Sequence, residues 1–265
     1  MGFLAREATQ VSFVQNPGAH GAVDPLRQAE SLAEQAARLN DLLLDLPAGE
    51  RIAHFCREVP GRIVFTTGFG IEGQVIQHLI AAHGADVETV TLDTGRLFPE
   101  TYELWARTER RYGRRIRAVY PQQLGVEALV ETYGINGFYE SREARLSCCH
   151  VRKVEPLNRV LAGAAAWVVG LRADQSRQRG TTKLVTVDQR NLLKFCPLYD
   201  WTREAVFGFA VANDVPINTL HAKGLPSIGC APCTRAVAPG EPERAGRWWW
   251  EEDGKKECGL HIAAK

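Results

Sequence analysis

What most constrains the fold is an alternation in which short apolar runs of strand length are each followed by residues with apolar positions at helical spacing. Ile63-Val64-Phe65-Thr66 reads as a buried strand, Gly68-Phe69-Gly70 as a turn, and residues 72–83 as a helix carrying Val75, Ile76, Leu79 and Ile80 on one face. The unit recurs as a strand over 87–92 and a helix over 98–112 with proline in its first turn. It recurs again as a strand over 115–120 and a helix over 121–133. Glu155-Pro156 opens a further helix to Leu161, and Trp167-Val168-Val169-Gly170 reads as a fourth strand. Near-continuous apolar strands separated by helices predict an α/β domain with an open, mostly parallel sheet and helices on both faces. Residues 183–187 and 192–198 read instead as a hairpin, and Thr202 as the cap of a helix reaching Asn213. Two helices, over 26–46 and 50–58, precede the first strand. The predicted organisation is an arm with helices over 1–60, the α/β domain over 61–225, and a segment over 226–265 packed on that same single domain.

The formal net charge of +1 leaves no global field to draw the chain onto nucleic acid or an anionic membrane, so any anion site must be local. No apolar run approaches bilayer length, and residues 1–24 lack the charged-then-apolar order of a secretory signal. The seven cysteines are therefore expected to be ligands and reactive thiols in a reducing cytoplasm, not disulfide partners.

Open parallel sheets bind ligands at the C-terminal ends of their strands. Two loops fall there. Thr66-Thr67-Gly68-Phe69-Gly70 could offer backbone N–H groups to an anion, and Leu92-Asp93-Thr94-Gly95 could meet a ribose or base. Arg172, Arg177 and Arg179 follow the fourth strand, and Arg244 and Arg247 precede Trp248-Trp249-Trp250. Each feature alone has a plain reading as a turn, a solvated charged loop, or a tail anchored by tryptophan.

Two thiol pairs are more specific: Cys148-Cys149, followed by His150, and Cys230-Ala231-Pro232-Cys233. Four soft donors suit zinc or an iron–sulfur cluster. Adjacent side chains diverge unless the backbone is locally distorted, which favours a bulky cluster over one tetrahedral ion. Cys56 and Cys196 sit in apolar stretches as ordinary buried residues. Cys258, flanked by Lys255, Lys256, Gly259 and His261, reads equally as an activated nucleophile or as a stray exposed cysteine.

Five stretches in order resemble the thiol-dependent sulfonucleotide reductases, specifically the assimilatory adenylyl-sulfate reductases. They are the run from Thr67 to Ile71, the run from Leu92 to Tyr102, Cys148-Cys149 through Leu157, Ile228 through Arg235, and Glu257-Cys258-Gly259-Leu260-His261. The resemblance implies an adenine-nucleotide α-hydrolase-like fold in which 61–225 binds the nucleotide and the C-terminal segment is a catalytic tail. It implies a [4Fe–4S] cluster on Cys148, Cys149, Cys230 and Cys233. It further implies reduction of adenosine 5′-phosphosulfate to sulfite and AMP through a Cys258 S-sulfonate that thioredoxin releases. By motif position, Lys153 and His261 act beside Cys258. Gly68, Leu92 and Gly170 match nucleotide-contacting backbone positions, and Arg172 or Arg179 with Arg244 and Arg247 would meet the anionic groups.

The chain departs from the pattern at Thr66-Thr67, where relatives usually carry serines, and at Arg145, which receives no role. The competing readings are a 3′-phosphoadenylyl-sulfate reductase, an iron–sulfur tRNA-thiolating enzyme, which the near-zero charge disfavours, and a non-catalytic zinc module. Homo-oligomerisation is left open.

Overall fold

Successive residues of the central strands are buried in opposite directions, as a sheet covered on both faces requires. The computed structural model describes residues 30–176, 179–251, 257, 259 and 260. In β1 (Ile63–Thr67), Ile63 and Phe65 join one apolar cluster and Val64 another. Four further elements complete this central layout: β2 (Glu88–Leu92), β3 (Arg117–Val119), β4 (Ala166–Val168) and β6 (Leu193–Phe195), with β5 (Val185–Val187) at the edge. In β4, Ala166 and Val168 face the first cluster and Trp167 the second; Leu193 and Phe195 of β6 face the first.

Among the described residues these strands form one sheet in the order β3-β2-β1-β4-β6-β5. All neighbours run parallel except β5 and β6, which form the expected antiparallel hairpin. The chain leaves β1 toward β2 and β3, then returns to place β4 on the other side of β1. The loops after β1 and β4 therefore part company, opening a crevice at the strand ends.

The first cluster is covered by four helices. These are α1 (Leu32–Leu43), α2 (Ala48–Glu58), α3 (Ile71–Ala82) and α8 (Arg203–Ala212), contributing among others Leu39, Ile52, Phe55, Val75, Ile76 and Val206. Ser31 closes a capping box with Glu34 at the start of α1, and the Thr202 hydroxyl accepts from Ala205 N as its position predicts. Arg51 of α2 ends α1 by donating to the carbonyls of Leu43 and Leu44 while pairing with Asp200 at 2.8 Å. On the opposite face α7 (Glu155–Leu161) buries Leu157, Val160 and Leu161 in the second cluster. Leu104 of α4 (Pro99–Tyr112) packs with Phe69 and Ile116, and α5 (Gln123–Tyr133) follows β3.

One helix lies outside the sequence reading. α6 (Arg142–Cys149), capped by Ser141, runs through a wider π-type turn at His150–Val154 directly into α7. Its buried residues are Ala144, Arg145 and Cys149, so no apolar stripe announces it. No helix of the described residues is long and apolar enough to cross a membrane.

Phe55 of α2 stacks on Phe195 of β6 with ring centroids 4.2 Å apart, joining the helical layer to the sheet. Phe55→Ala should cost about 3–5 kcal/mol in urea unfolding. A loss below about 1 kcal/mol would show that this junction does not hold the layer.

Candidate active site

The loop from β1 to α3 is shaped by its own side chains. Thr67 Oγ1 accepts from Phe69 N at 3.1 Å, and Phe69 adopts φ 59°, in the left-handed region that aromatic residues avoid. Burial of its ring against Trp105, centroids 5.7 Å apart, holds it there. A Cβ on Gly73 would come within 2.7 Å of Thr67 Oγ1, and one on Gly170 within 3.1 Å of Glu72 Cβ. The end of β4 thus presses directly on the first turn of α3. Gly70 caps that helix without a side-chain hydrogen bond, leaving the first-turn N–H groups without a side-chain cap from it.

A cavity of about 240 Å³ opens at this junction. Gly68, Leu92 and Gly170 line it, as do Lys153, Arg179, Arg244 and Arg247, so the structure gathers these predicted residues around one space. Arg247 lies across Gly229, where a Cβ would sit 2.2 Å from its guanidinium, and donates to the carbonyls of Cys233 and Ile228. Trp248, buried and at φ 43°, faces Arg247 at 4.6 Å, Arg145 at 5.0 Å and Arg244 at 6.0 Å.

Arg172 is placed differently from the expectation. It is 0% exposed and does not line the cavity. Its guanidinium meets Glu72 at 2.9 Å, Glu243 at 2.8 Å and Asp174 at 3.1 Å. Glu72 and Glu243 form part of the cavity wall, so Arg172 stands one layer behind it. Burial raises the Glu243 carboxyl above its ordinary value despite the opposing pull of Arg172.

The cysteines meet as expected from two separate elements. Cys148 and Cys149 end α6, immediately before the backbone widens into the π-type turn, and Cys230 and Cys233 bracket a tight turn. All four pack with Phe138 and Trp248. The expected [4Fe–4S] cluster, however, is corrected by the geometry: among the described residues no three His, Cys, Asp or Glu side chains stand where they could hold a metal ion. The space they line amounts to about 10 Å³, water-sized at most. Two of the sulfurs have other partners, Cys230 with Thr94 Oγ1 at 3.3 Å and with Lys153, and Cys149 with Arg145. Burial raises the Cys148 thiol and pushes Cys233 up to about 11. Burial acts the same way on Cys230, but Lys153, Thr94 and Arg247 outweigh it and hold that thiol below its ordinary value. Lys153 borders both the cavity and the cysteine space. Of the other two cysteines among the described residues, Cys196 is buried as expected and Cys56 is half-buried.

Cys258, His261 and Arg177 lie outside the described residues. Their neighbour Glu257 is described, and it brings in residues that sequence reasoning missed. Its carboxylate contacts Arg179 and Arg244, and its carbonyl accepts from Arg145. Arg145, wholly buried, forms a two-point pair with Glu251 at 2.7 and 2.6 Å. An arginine three residues before the vicinal cysteines was the available signal.

Residues 62–236 match the phosphoadenosine phosphosulfate reductase domain. A protein of Sinorhizobium fredii (strain USDA 257) named adenosine 5′-phosphosulfate reductase is 52% identical, covering 88% of this chain and 93% of its own. Its namesake from Burkholderia cepacia is 46% identical, with 87% of this chain and 89% of its own covered. Among solved structures, the phosphoadenylyl-sulfate reductase of Candida auris in a phosphate complex superposes with a TM-score of 0.65 at 25% identity, covering 76% of this chain and 96% of that one.

The positions of the two arginines after β4 give them separable roles. Arg172→Met should destabilise the protein by about 3–5 kcal/mol in urea unfolding, because Glu72 is left buried without its cation and, among the described residues, Glu243 keeps only Arg203 at 3.6 Å. Arg179→Gln, whose partner Glu257 is partly solvated, should cost no more than about 1 kcal/mol. Equal losses would remove the distinction.

Proposed function

The chain belongs to the phosphoadenosine phosphosulfate reductase domain family, and on that footing we propose that it reduces adenosine 5′-phosphosulfate to sulfite and AMP. The observation that carries the reading is the convergence of Lys153, Arg179, Arg244 and Arg247 on a cavity at the sheet's switch point, beside the residue that precedes Cys258. The cavity supplies what such a nucleotide needs. Loop backbone at Gly68, Leu92 and Gly170 can approach the nucleoside closely, and the cations can face the phosphosulfate. The substrate choice follows the names of relatives at 46–52% identity, not the cysteine count.

The chemistry balances on thiols alone. The Cys258 thiolate attacks the sulfur of the sulfate group, the sulfur–oxygen bond to the phosphate breaks, and AMP departs with that electron pair. The sulfonate remains on Cys258 Sγ. A dithiol protein of the thioredoxin type then attacks that Sγ, and sulfite leaves with the electrons of the sulfur–sulfur bond. The donor's second thiol closes its own disulfide and returns Cys258 as thiol. Lys153 and Arg247 are suited to neutralise the oxygen on which charge builds as AMP leaves, with His261 the remaining candidate beside Cys258. A reducing cytoplasm fits this scheme, since Cys258 must persist as a thiol.

Incubation with sulfur-labelled adenosine 5′-phosphosulfate, without reductant, should add one sulfonate to the protein, mapped by mass spectrometry to Cys258. Cys258→Ser should abolish the label, and reduced thioredoxin should release it as sulfite. An adduct elsewhere, or preference for the 3′-phosphorylated nucleotide in a parallel assay, would sink the reading.

A further inference from the structure

Glu257 is gripped at two points of unequal strength. Its main-chain carbonyl accepts from Arg145 Nη1 at 2.6 Å, and Arg145 is itself fixed by Glu251. Its carboxylate reaches into the cavity, 3.3 and 3.4 Å from Arg179 Nη2 and 3.2 Å from Arg244 Nη2. Charge-assisted N–H···O bonds settle at about 2.7–2.9 Å. The main chain is therefore held tightly and the carboxylate slackly. The other two carboxylates of the cavity wall, Glu72 and Glu243, are engaged by Arg172.

Two cationic forks directed at one carboxylate make an arrangement that any anion with more oxygens would fit better. Glu257 brings one negative charge and two acceptors, whereas a phosphosulfate spreads about two charges over several oxygens and can meet each guanidinium separately. With no anion between them, Arg179 and Arg244 would repel one another. The Glu257 side chain is 30% exposed, so its carboxylate can return to water at small cost while the carbonyl stays on Arg145.

We propose that Glu257 is a positioning residue that acts as a place-holder. Its carboxylate fills the anion subsite of Arg179 and Arg244 until the anionic end of the nucleotide displaces it. The inference rests on the reading of the cavity as a site for adenosine 5′-phosphosulfate. Because Cys258 is the next residue in the chain, arrival of the substrate anion is registered one peptide unit from the nucleophile. The nucleotide must also compete with an internal carboxylate, which lowers its apparent affinity by the fraction of molecules in which the subsite is filled.

Inorganic pyrophosphate titrated into the full-length protein and followed by tryptophan fluorescence tests the subsite without any turnover, with Trp248 beside Arg244 as reporter. Glu257→Gln should bind pyrophosphate about two- to fivefold more tightly than the wild type, the gain expected from removing a competing, partly solvated ion pair. Glu257→Asp, too short to reach both arginines, should fall between the two and carries the comparison should Glu257→Gln misfold. The gain should shrink when Glu257→Gln is made in an Arg179→Gln background. Unchanged or weaker binding by Glu257→Gln, or a full gain without Arg179, overturns the proposal. Adenosine 5′-phosphosulfate titrated in parallel separates the two readings. Tighter pyrophosphate binding with no nucleotide binding by either protein keeps the place-holder and removes the substrate assignment. Nucleotide binding that is identical in both proteins removes the place-holder alone.

Discussion

Arg172 has no access to water, and a guanidinium taken out of water costs several kcal/mol unless carboxylates meet it with good geometry. Those carboxylates come from three stretches of chain: Glu72 in the first turn of α3, Asp174 two residues on, and Glu243 in the C-terminal segment. Gln175 adds a hydrogen bond to Glu72, and Arg203 approaches Glu243 at 3.6 Å. One guanidinium thereby pins the three stretches to one another, and removing it would strip Glu72 and Glu243 of the cation they share. The wall of the cavity is the outer side of this junction. Its shape depends on Arg172 even though Arg172 does not reach the cavity.

The same junction sets the local field. The chain is nearly neutral, yet among the described residues three carboxylates border the cavity alongside four cations, Lys153, Arg179, Arg244 and Arg247. Arg172, with Arg203 at 3.6 Å from Glu243, offsets Glu72 and Glu243 from behind, so among the described residues the cavity faces the substrate with a cationic excess. A neutral protein thereby concentrates positive potential at one place without attracting polyanions over its whole surface.

The fold was legible where burial imposes periodicity. Strand runs such as Ile63-Val64-Phe65 and Trp167-Val168-Val169 could only be central, and the helices between them carried apolar stripes. α6 was not legible, because the side chains it buries include Arg145, whose partner Glu251 is distant in sequence, and a cysteine in place of an apolar stripe. Arg172 and Arg179 looked alike for the same reason. Both follow a strand, and only the three-dimensional placement of Glu72 and Glu243 separates a buried hub from a cavity cation. The cysteine spacing announced that four thiols would meet, which they do. It could not announce where the sulfurs point, and the cluster inferred from donor identity gave way to contacts with Thr94, Lys153 and Arg145.

Three arginines within about 6 Å of one tryptophan would repel one another in the open, so their arrangement about Trp248 calls for a physical cause. The indole face offers each cation an attractive quadrupole, worth more where water is excluded. Glu251 and Glu257 supply the countercharge to Arg145 and Arg244. The bridge between Thr234 and Arg247 then ties this cationic group to the turn carrying Cys230 and Cys233. The left-handed backbone at Trp248, unfavourable for so large a residue, follows from that role: it turns the ring inward while the preceding arginines stay directed at the cavity. Strain at this one residue is thus the counterpart of order in the C-terminal segment. The tryptophan run that reads in sequence as a simple anchor also sets the spacing of the cations that any bound anion must meet.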